Sequence, residues 1–175
     1  MDTAASPTTD IVIVFYGDRT GLDACLASIE THCTRYKVHI IDNNKENVGF
    51  TRGVNKGILN GTAPYVWLLN QDDIVLKGAQ EALIDRLNSR SQTGIASSMQ
   101  IDPDDRDLIT HGETLSAFPT GLHKGGRLSN GECLSPLEQS WVNFASVMFK
   151  REMIDRIGLL DESMFLFYSD SDYCY

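Results

Sequence analysis

Two adjacent carboxylates, Asp72 and Asp73, end the stretch Asn70-Gln71-Asp72-Asp73, directly behind the apolar run Tyr65-Val66-Trp67-Leu68-Leu69. Acids at that point stand where the backbone leaves a buried strand, and side by side they repel unless a cation relieves them. Mg2+ or Mn2+, held by one or two carboxylates plus the oxygens of a diphosphate, meets that need. The competing reading makes Asp72 or Asp73 the cap of a following helix, a common use of Asp. One acid can do each job.

Asp42-Asn43-Asn44 closes a second apolar run, Val38-His39-Ile40-Ile41, in the same way. A carboxylate there can accept from the imide N–H of a pyrimidine or from a ribose hydroxyl. An Asx turn, in which such side chains bond to their own backbone, uses the same residues. Asn47 to Gly57 is dense in glycine for a helix start, at a cost of about 1 kcal/mol per interior glycine relative to alanine. Close approach of backbone to a ligand, with Arg52 or Lys56 near phosphate, compensates for this; close packing of helix on sheet does so equally well. The stretch is neither GxGxxG nor GxxxxGK[ST], so dehydrogenase and P-loop assignments lose their main support.

Near the end, Phe165-Leu166-Phe167-Tyr168 runs into Ser169-Asp170-Ser171-Asp172. A carboxylate among those rings is partly desolvated, which raises its pKa and suits it to take a proton from a hydroxyl. Acids in the first turn of a helix, favoured by the macrodipole, are the other reading, and both can hold. Asp170-Ser171-Asp172 lacks the glycine and closing Glu of a calcium loop. His32, His39, His111 and His123 are scattered with no i, i+4 pair, and no Ser-His-Asp arrangement emerges.

The elements that must position these groups follow from periodicity. Ile11 to Phe15 reads as a strand buried on both faces, and Leu22, Cys25, Leu26 and Ile29 as the stripe of a helix. Val38 to Ile41, then a helix over Phe50, Val54 and Ile58, then Tyr65 to Leu69, then a helix over Ala79 to Leu87, then Gly94 to Met99 continue the alternation. That pattern predicts an α/β fold with a mainly parallel sheet and helices on both faces, whose strands deliver their C-terminal ends to one edge where ligands bind. Asp102 to Pro136, rich in Pro and Gly, breaks the rhythm as a loop-rich insertion or hairpin pair within one domain. A strand-like run, Trp141 to Phe149, and a short helix, Lys150 to Ile157, precede the C-terminal acids.

At 175 residues and 42% hydrophobic, the chain can fill one core. Its 15 basic and 24 acidic residues give −9 and a pI near 4.8, which speaks against nucleic acid as a partner. Cys25, Cys33, Cys133 and Cys174 form no CxxC pair and read as reduced thiols of a cytoplasmic protein. Met1 to Asp10 lacks the basic and apolar regions of a signal peptide, and nowhere do 18 apolar residues run together. No transmembrane segment is expected, which still leaves room for peripheral membrane contact.

In this order, Asp42-Asn43-Asn44, Asn47-Val48-Gly49-Phe50 to Asn55-Lys56-Gly57, Leu68 to Asp73 and Gly158-Leu159-Leu160-Asp161-Glu162 to Cys174 resemble the family 2 glycosyltransferases of the GT-A fold, particularly the rhamnosyltransferase-like branch. The resemblance implies one Rossmann-like GT-A domain over residues 1–175, with a polar leader at 1–9 and an irregular acceptor-side segment at 102–136. It implies transfer, with inversion, from a dTDP- or UDP-sugar such as dTDP-rhamnose to a glycan or lipid-linked glycan acceptor. Asp170 becomes the general base, its usual Glu partner replaced by Ser169. Asp72 and Asp73 become the holders of Mg2+ or Mn2+. Tyr16, Asp42, Asn44, Gly49, Arg52, Asn55, Asn70, Gln71 and Asp72 become the donor contacts. Relatives continue past the base motif through helices that help hold the acceptor. Two alternatives stand beside this reading: a non-catalytic or truncated nucleotide-sugar-binding module, and a sugar nucleotidyltransferase, for which Gly17-Asp18-Arg19-Thr20-Gly21 is a weak counterpart of the glycine-rich loop.

Overall fold

A computed structural model describes residues 8–114, 123–127 and 138–175. Cys133, Pro119, Gly121, Gly131 and Pro136, and most of the polar leader, lie outside the described residues. Strand β1 (Thr9–Phe15) is followed by α1 (Thr20–His32), β2 (Tyr36–Asp42), α2 (Phe50–Leu59), β3 (Tyr65–Leu69), α3 (Ala79–Asn88) and β4 (Ile95–Ser97). Then come β5 (Gln100–Ile101), β6 (Leu108–Thr114), β7 (His123–Arg127), β8 (Ser146–Lys150), α4 (Arg151–Ile157) and α5 (Ser169–Cys174).

The main sheet has the order β2-β1-β3-β8-β4. β1 pairs in parallel with both β2 and β3, whereas β8 runs antiparallel to β3 and β4, so four of the five strands share one direction. The sheet is mainly parallel, as expected. The antiparallel insertion of β8 between β3 and β4 was not. Its strand is also shorter than the run from Trp141 to Phe149: pairing with β3 starts at Ser146, and Ala145 O accepts from Asn70 N just beyond the end of β3.

Alternation along β1 explains why helices cover both faces. Ile11, Ile13 and Phe15 join Leu22, Cys25 and Ile29 of α1 and Leu83 and Leu87 of α3 in one cluster. Val12 turns to the other face with Val54 and Ile58 of α2, Ile154 of α4 and Phe149. The glycines of α2 fit that face: a Cβ at Gly53 would stand 2.9 Å from both Val14 methyls, and one at Gly57 would overlap Val12. Close packing of helix on sheet therefore accounts for both.

β1 starts at Thr9, before its apolar run, because Thr9 and Asp10 are buried with partners. Gln80 Nε2 donates to Thr9 Oγ1 at 3.0 Å. Asp10 accepts from Ala63 N at 2.7 Å and Arg151 Nη2 at 2.8 Å, and its other oxygen meets His39 Nε2 at 2.8 Å. Burial alone works to raise the Asp10 carboxyl; the hydrogen bonds from His39 and Ala63 and the charges of His39 and Arg151 overcome it and hold the group below the usual carboxylate range. His39 thus belongs to the interior. Across the segment from Gln100 to Arg127, β5, β6 and β7 form an antiparallel sheet in that order.

Candidate active site at the strand ends

The C-terminal ends of β1, β2 and β3 are tied together by side chains of the residues that follow them. Gln71 Oε1 accepts from Tyr16 N at 2.8 Å, and Gln71 Nε2 donates to Tyr16 O at 2.9 Å, joining the exits of β3 and β1. Gly17 N donates to Asn44 Oδ1 at 2.9 Å and Asn43 N donates to Phe15 O at 2.8 Å, joining the exits of β1 and β2. Asp42 Oδ1 accepts from Asn44 N at 2.9 Å, the Asx turn allowed by the local sequence. Tyr16, Asp42, Asn44 and Asp72 are exposed at this edge.

The acidic turn divides its two carboxylates. Asp73 folds back, its N–H donating to Asn70 O at 3.2 Å and its Oδ2 accepting from Asn70 N at 3.3 Å. Burial, then the neighbouring Asp72 charge, push the Asp73 carboxyl up to about 7 against the opposing bond from Asn70. Asp72 stays exposed and sits beside the start of α1, where a Cβ at Gly21 would lie 3.2 Å from its own Cβ. A helix of 13 residues therefore begins next to it, and its first N–H, that of Thr20, donates to Asp18 Oδ1 at 2.9 Å, the anion-favouring chemistry of a helix N-terminus. Below the turn, the Cys25 thiol contacts Asn70 O at 3.8 Å, and burial together with the charges of Asp73 and Asp72 pushes it up to about 12.

Among the described residues no group of three or more His, Cys, Asp or Glu side chains could hold a metal ion by itself. Asp72 is the exposed carboxylate of the turn, while Asp73 is partly buried with its Oδ2 accepting from Asn70 N.

A second set of contacts sews the start of α2 to the segment before α5. Phe50 N donates to Phe165 O at 2.7 Å, and the Thr51 hydroxyl donates to Met164 O. Asn55 is buried; its Nδ2 donates to Leu160 O at 2.9 Å and to Glu162 Oε1 at 3.2 Å, while Leu160 N donates to its Oδ1 at 3.1 Å. Arg52 Nε lies 3.4 Å from Glu162 Oε2. Gly49 has φ +87; its carbonyl accepts from Asn43 Nδ2 at 3.1 Å, and a Cβ there would stand 2.8 Å from Phe165 Cδ2. Gly49 and Asn55 thus face the 160–165 segment, and Arg52 is paired with Glu162. Thr51 and Glu162 carried no role in the sequence reading, since nothing local to either residue signals a partner more than 100 positions away.

Asp170 lies in the first turn of α5, half-buried, with Ser171 N donating to its Oδ1 at 2.8 Å. α5 is fixed by Tyr173, whose ring packs edge-on at 6.1 Å from Phe144 and 5.7 Å from Phe149 and whose hydroxyl donates to Gly158 O at 2.7 Å. Phe144 precedes Ala145, whose carbonyl accepts from Asn70 N at 2.8 Å. Asp170 is thereby connected to the acidic turn through Tyr173, Phe144 and Ala145, with no direct hydrogen bond among the described residues. Phe165, Phe167 and Tyr168 are exposed and do not close over it. A cavity of about 420 Å³ lined by Thr93, Lys150 and Arg156 lies at the opposite edge of the sheet, where β3 begins, and takes no part in this site.

The fold is that of GT-A glycosyltransferases. A mannosyltransferase from Pyrobaculum calidifontis, solved in complex with GDP-Man and Mn2+, is similar over 98% of this chain and 51% of its own, with TM-score 0.66 at 12% identity. TarS 1-349 from S. aureus is similar over 95% of this chain and 54% of its own, with TM-score 0.60 at 9% identity. The chain thus spans about half the length of these structures. No curated protein matches it in sequence. The profile of the family described as glycosyl transferase family 2 matches residues 5–133, well over half of the sequence, and the chain belongs to that family.

Proposed function

We propose that the chain transfers a sugar from a dTDP- or UDP-sugar, with dTDP-rhamnose as the branch-level choice, to the hydroxyl of a glycan or lipid-linked glycan, with inversion, in glycan or polysaccharide synthesis. The observation that carries the reading is the joining of three strand exits by Gln71 and Asn44, which gathers Tyr16, Asp42 and Asp72 at one sheet edge beside the start of α1.

In this reading Asp42 accepts from the base or ribose, and the N-terminus of α1 receives the diphosphate. Asn44, Gln71 and Asn70 hold the shape of the edge through their bonds to Gly17, Tyr16 and Ala145. Gly49 and Asn55 position the 160–165 segment, and Arg52 serves the diphosphate once it leaves Glu162. Asp72, with Asp73 beside it, would hold Mg2+ or Mn2+, which would supply charge stabilisation for the departing nucleoside diphosphate. Asp170 takes the proton of the acceptor hydroxyl as its oxygen bonds to the anomeric carbon; the opposite C–O bond breaks and its electron pair leaves with the diphosphate.

Calorimetric titration with dTDP, UDP and GDP, with and without Mn2+, followed by a donor-hydrolysis assay on the same sample, tests the reading. Mn2+-dependent binding with turnover is expected. Binding without turnover turns the reading toward a nucleotide-sugar-binding module, and pyrophosphate release from a sugar phosphate and a nucleoside triphosphate turns it toward a nucleotidyltransferase.

A further inference from the structure

Asp170 is reached from the strand exits along a second route, which passes through α2. Asn43 is buried at the exit of β2; its N–H donates to Phe15 O at 2.8 Å and its Nδ2 to Gly49 O at 3.1 Å, so the edge fixes the start of α2. From there Phe50 N donates to Phe165 O at 2.7 Å and the Thr51 hydroxyl donates to Met164 O, which pins the segment that feeds α5. The Tyr173 hydroxyl holds the far end of α5, and these bonds hold its entry. A helix of six residues carries little stability of its own, so the pins at its two ends decide where its first turn, and with it Asp170, stands.

Thr51 is fully buried in the first turn of α2 and has no part in the transfer reading given above. A threonine in a helix often returns its hydroxyl to a carbonyl four residues back, as Thr31 does to Ala27 O at 2.7 Å in α1. Thr51 instead gives its donor to a carbonyl 113 positions away. The helix gains nothing from this, since Thr is a weaker helix former than Ala. Only Phe165 to Tyr168 separate Met164 from α5, and Tyr168 is held at φ +68, an uncommon conformation for a non-glycine residue, so a displaced Met164 carbonyl is passed on with little slack. We infer that Thr51 is a positioning residue for Asp170: its hydroxyl, through the Met164 carbonyl, sets where the carboxylate of α5 stands.

The catalytic consequence rests on the transferase reading, and the placement of α5 is measured separately. Thr51→Val keeps the side-chain shape and removes the donor, whereas Thr51→Ser keeps the donor and removes the methyl. Hydrogen exchange of the Ser171 and Asp172 amides, which donate to Asp170 Oδ1 and Tyr168 O, reads the first turn of α5 by NMR on the full chain. Thr51→Val is expected to speed both amides about tenfold while those of β1 exchange as before. Turnover of dTDP-rhamnose or UDP-glucose should fall by roughly 10–100-fold, the cost of a misplaced reacting group, with affinity for dTDP or UDP with Mn2+ unchanged. Thr51→Ser should stay close to the unmodified chain in all three measurements. A packing role reverses that order, with Ser worse than Val, and overturns the inference. Unaltered α5 exchange in Thr51→Val overturns it too, as does a loss of nucleotide affinity in step with turnover. Should Thr51→Val fail to fold, Thr51→Ser against Thr51→Ala carries the same comparison of donor kept and donor lost. Absence of nucleotide binding and turnover in the unmodified chain sinks the transferase reading instead; faster α5 exchange in Thr51→Val then still upholds the placement, and unaltered exchange overturns it.

Discussion

The carboxamide of Gln71 spans the peptide of Tyr16, accepting from its N–H at 2.8 Å and donating to its carbonyl at 2.9 Å, across 55 positions of sequence. One side chain thereby fixes the spacing between two strand exits. Gln71→Leu removes both bonds, each worth about 1 kcal/mol. A drop in melting temperature of several degrees is expected, with weaker nucleoside diphosphate binding by calorimetry. Unchanged affinity would separate the clamp from the donor site.

Asp170→Asn keeps an acceptor oxygen for Ser171 N but removes the proton acceptor. Transfer should fall by roughly 10²–10⁴-fold, the usual contribution of a general base, while nucleotide affinity is retained. Loss of both activities, or of neither, counts against the assigned role.

Asp10, with its carboxyl held low, contributes stability that is present above the ordinary carboxylate value near 3.8 and is lost as pH falls through its folded value. Asp10→Asn leaves Arg151 without its carboxylate partner, a change that typically costs about 3–5 kcal/mol for a buried pair. Urea unfolding at pH 7 should show that loss, and the gap between the two proteins should narrow in acid.

Asp73 runs the other way. Its carboxyl is raised to about 7, so between the unfolded value of 3.8 and that point the folded chain binds the extra proton. Stability therefore declines as pH rises across that window and levels off above it. Asp73→Asn should flatten this slope and leave the protein more stable at pH 8. A slope equal in both proteins would show that the turn does not desolvate the carboxylate.

Gly57→Ala ordinarily favours a helix by about 1 kcal/mol, but here the added methyl overlaps Val12. The helix must lift from β1, and a net loss of about 1–3 kcal/mol is expected in denaturant unfolding. Gly57→Ala combined with Val12→Ala should recover part of the clash, which distinguishes packing from a change in helix propensity.

Much of the scaffold was legible because it is written in short-range periodicity. Continuous apolar runs at Ile11 to Phe15 and Tyr65 to Leu69 became β1 and β3, and the stripe Leu22, Cys25, Ile29 became the buried side of α1. Carboxylates at strand exits were legible for the same reason, since the end of a run marks where the chain leaves the sheet. The roles of the glycines in α2 were not, because the sequence allowed a ligand or a packed strand, and only the distance to Val12 and Val14 distinguishes them.

From the chain of residues alone come the α/β class, the strand exits and the acids that stand on them, since each depends on neighbours within a few positions. Tertiary structure decided the antiparallel insertion of β8, the burial of Asp10 with His39 and Arg151, and the sewing of α2 to residues 160–165. Those contacts join groups 29 to 141 positions apart. No local pattern encodes them, because their free energy appears only when folding brings both partners out of water together.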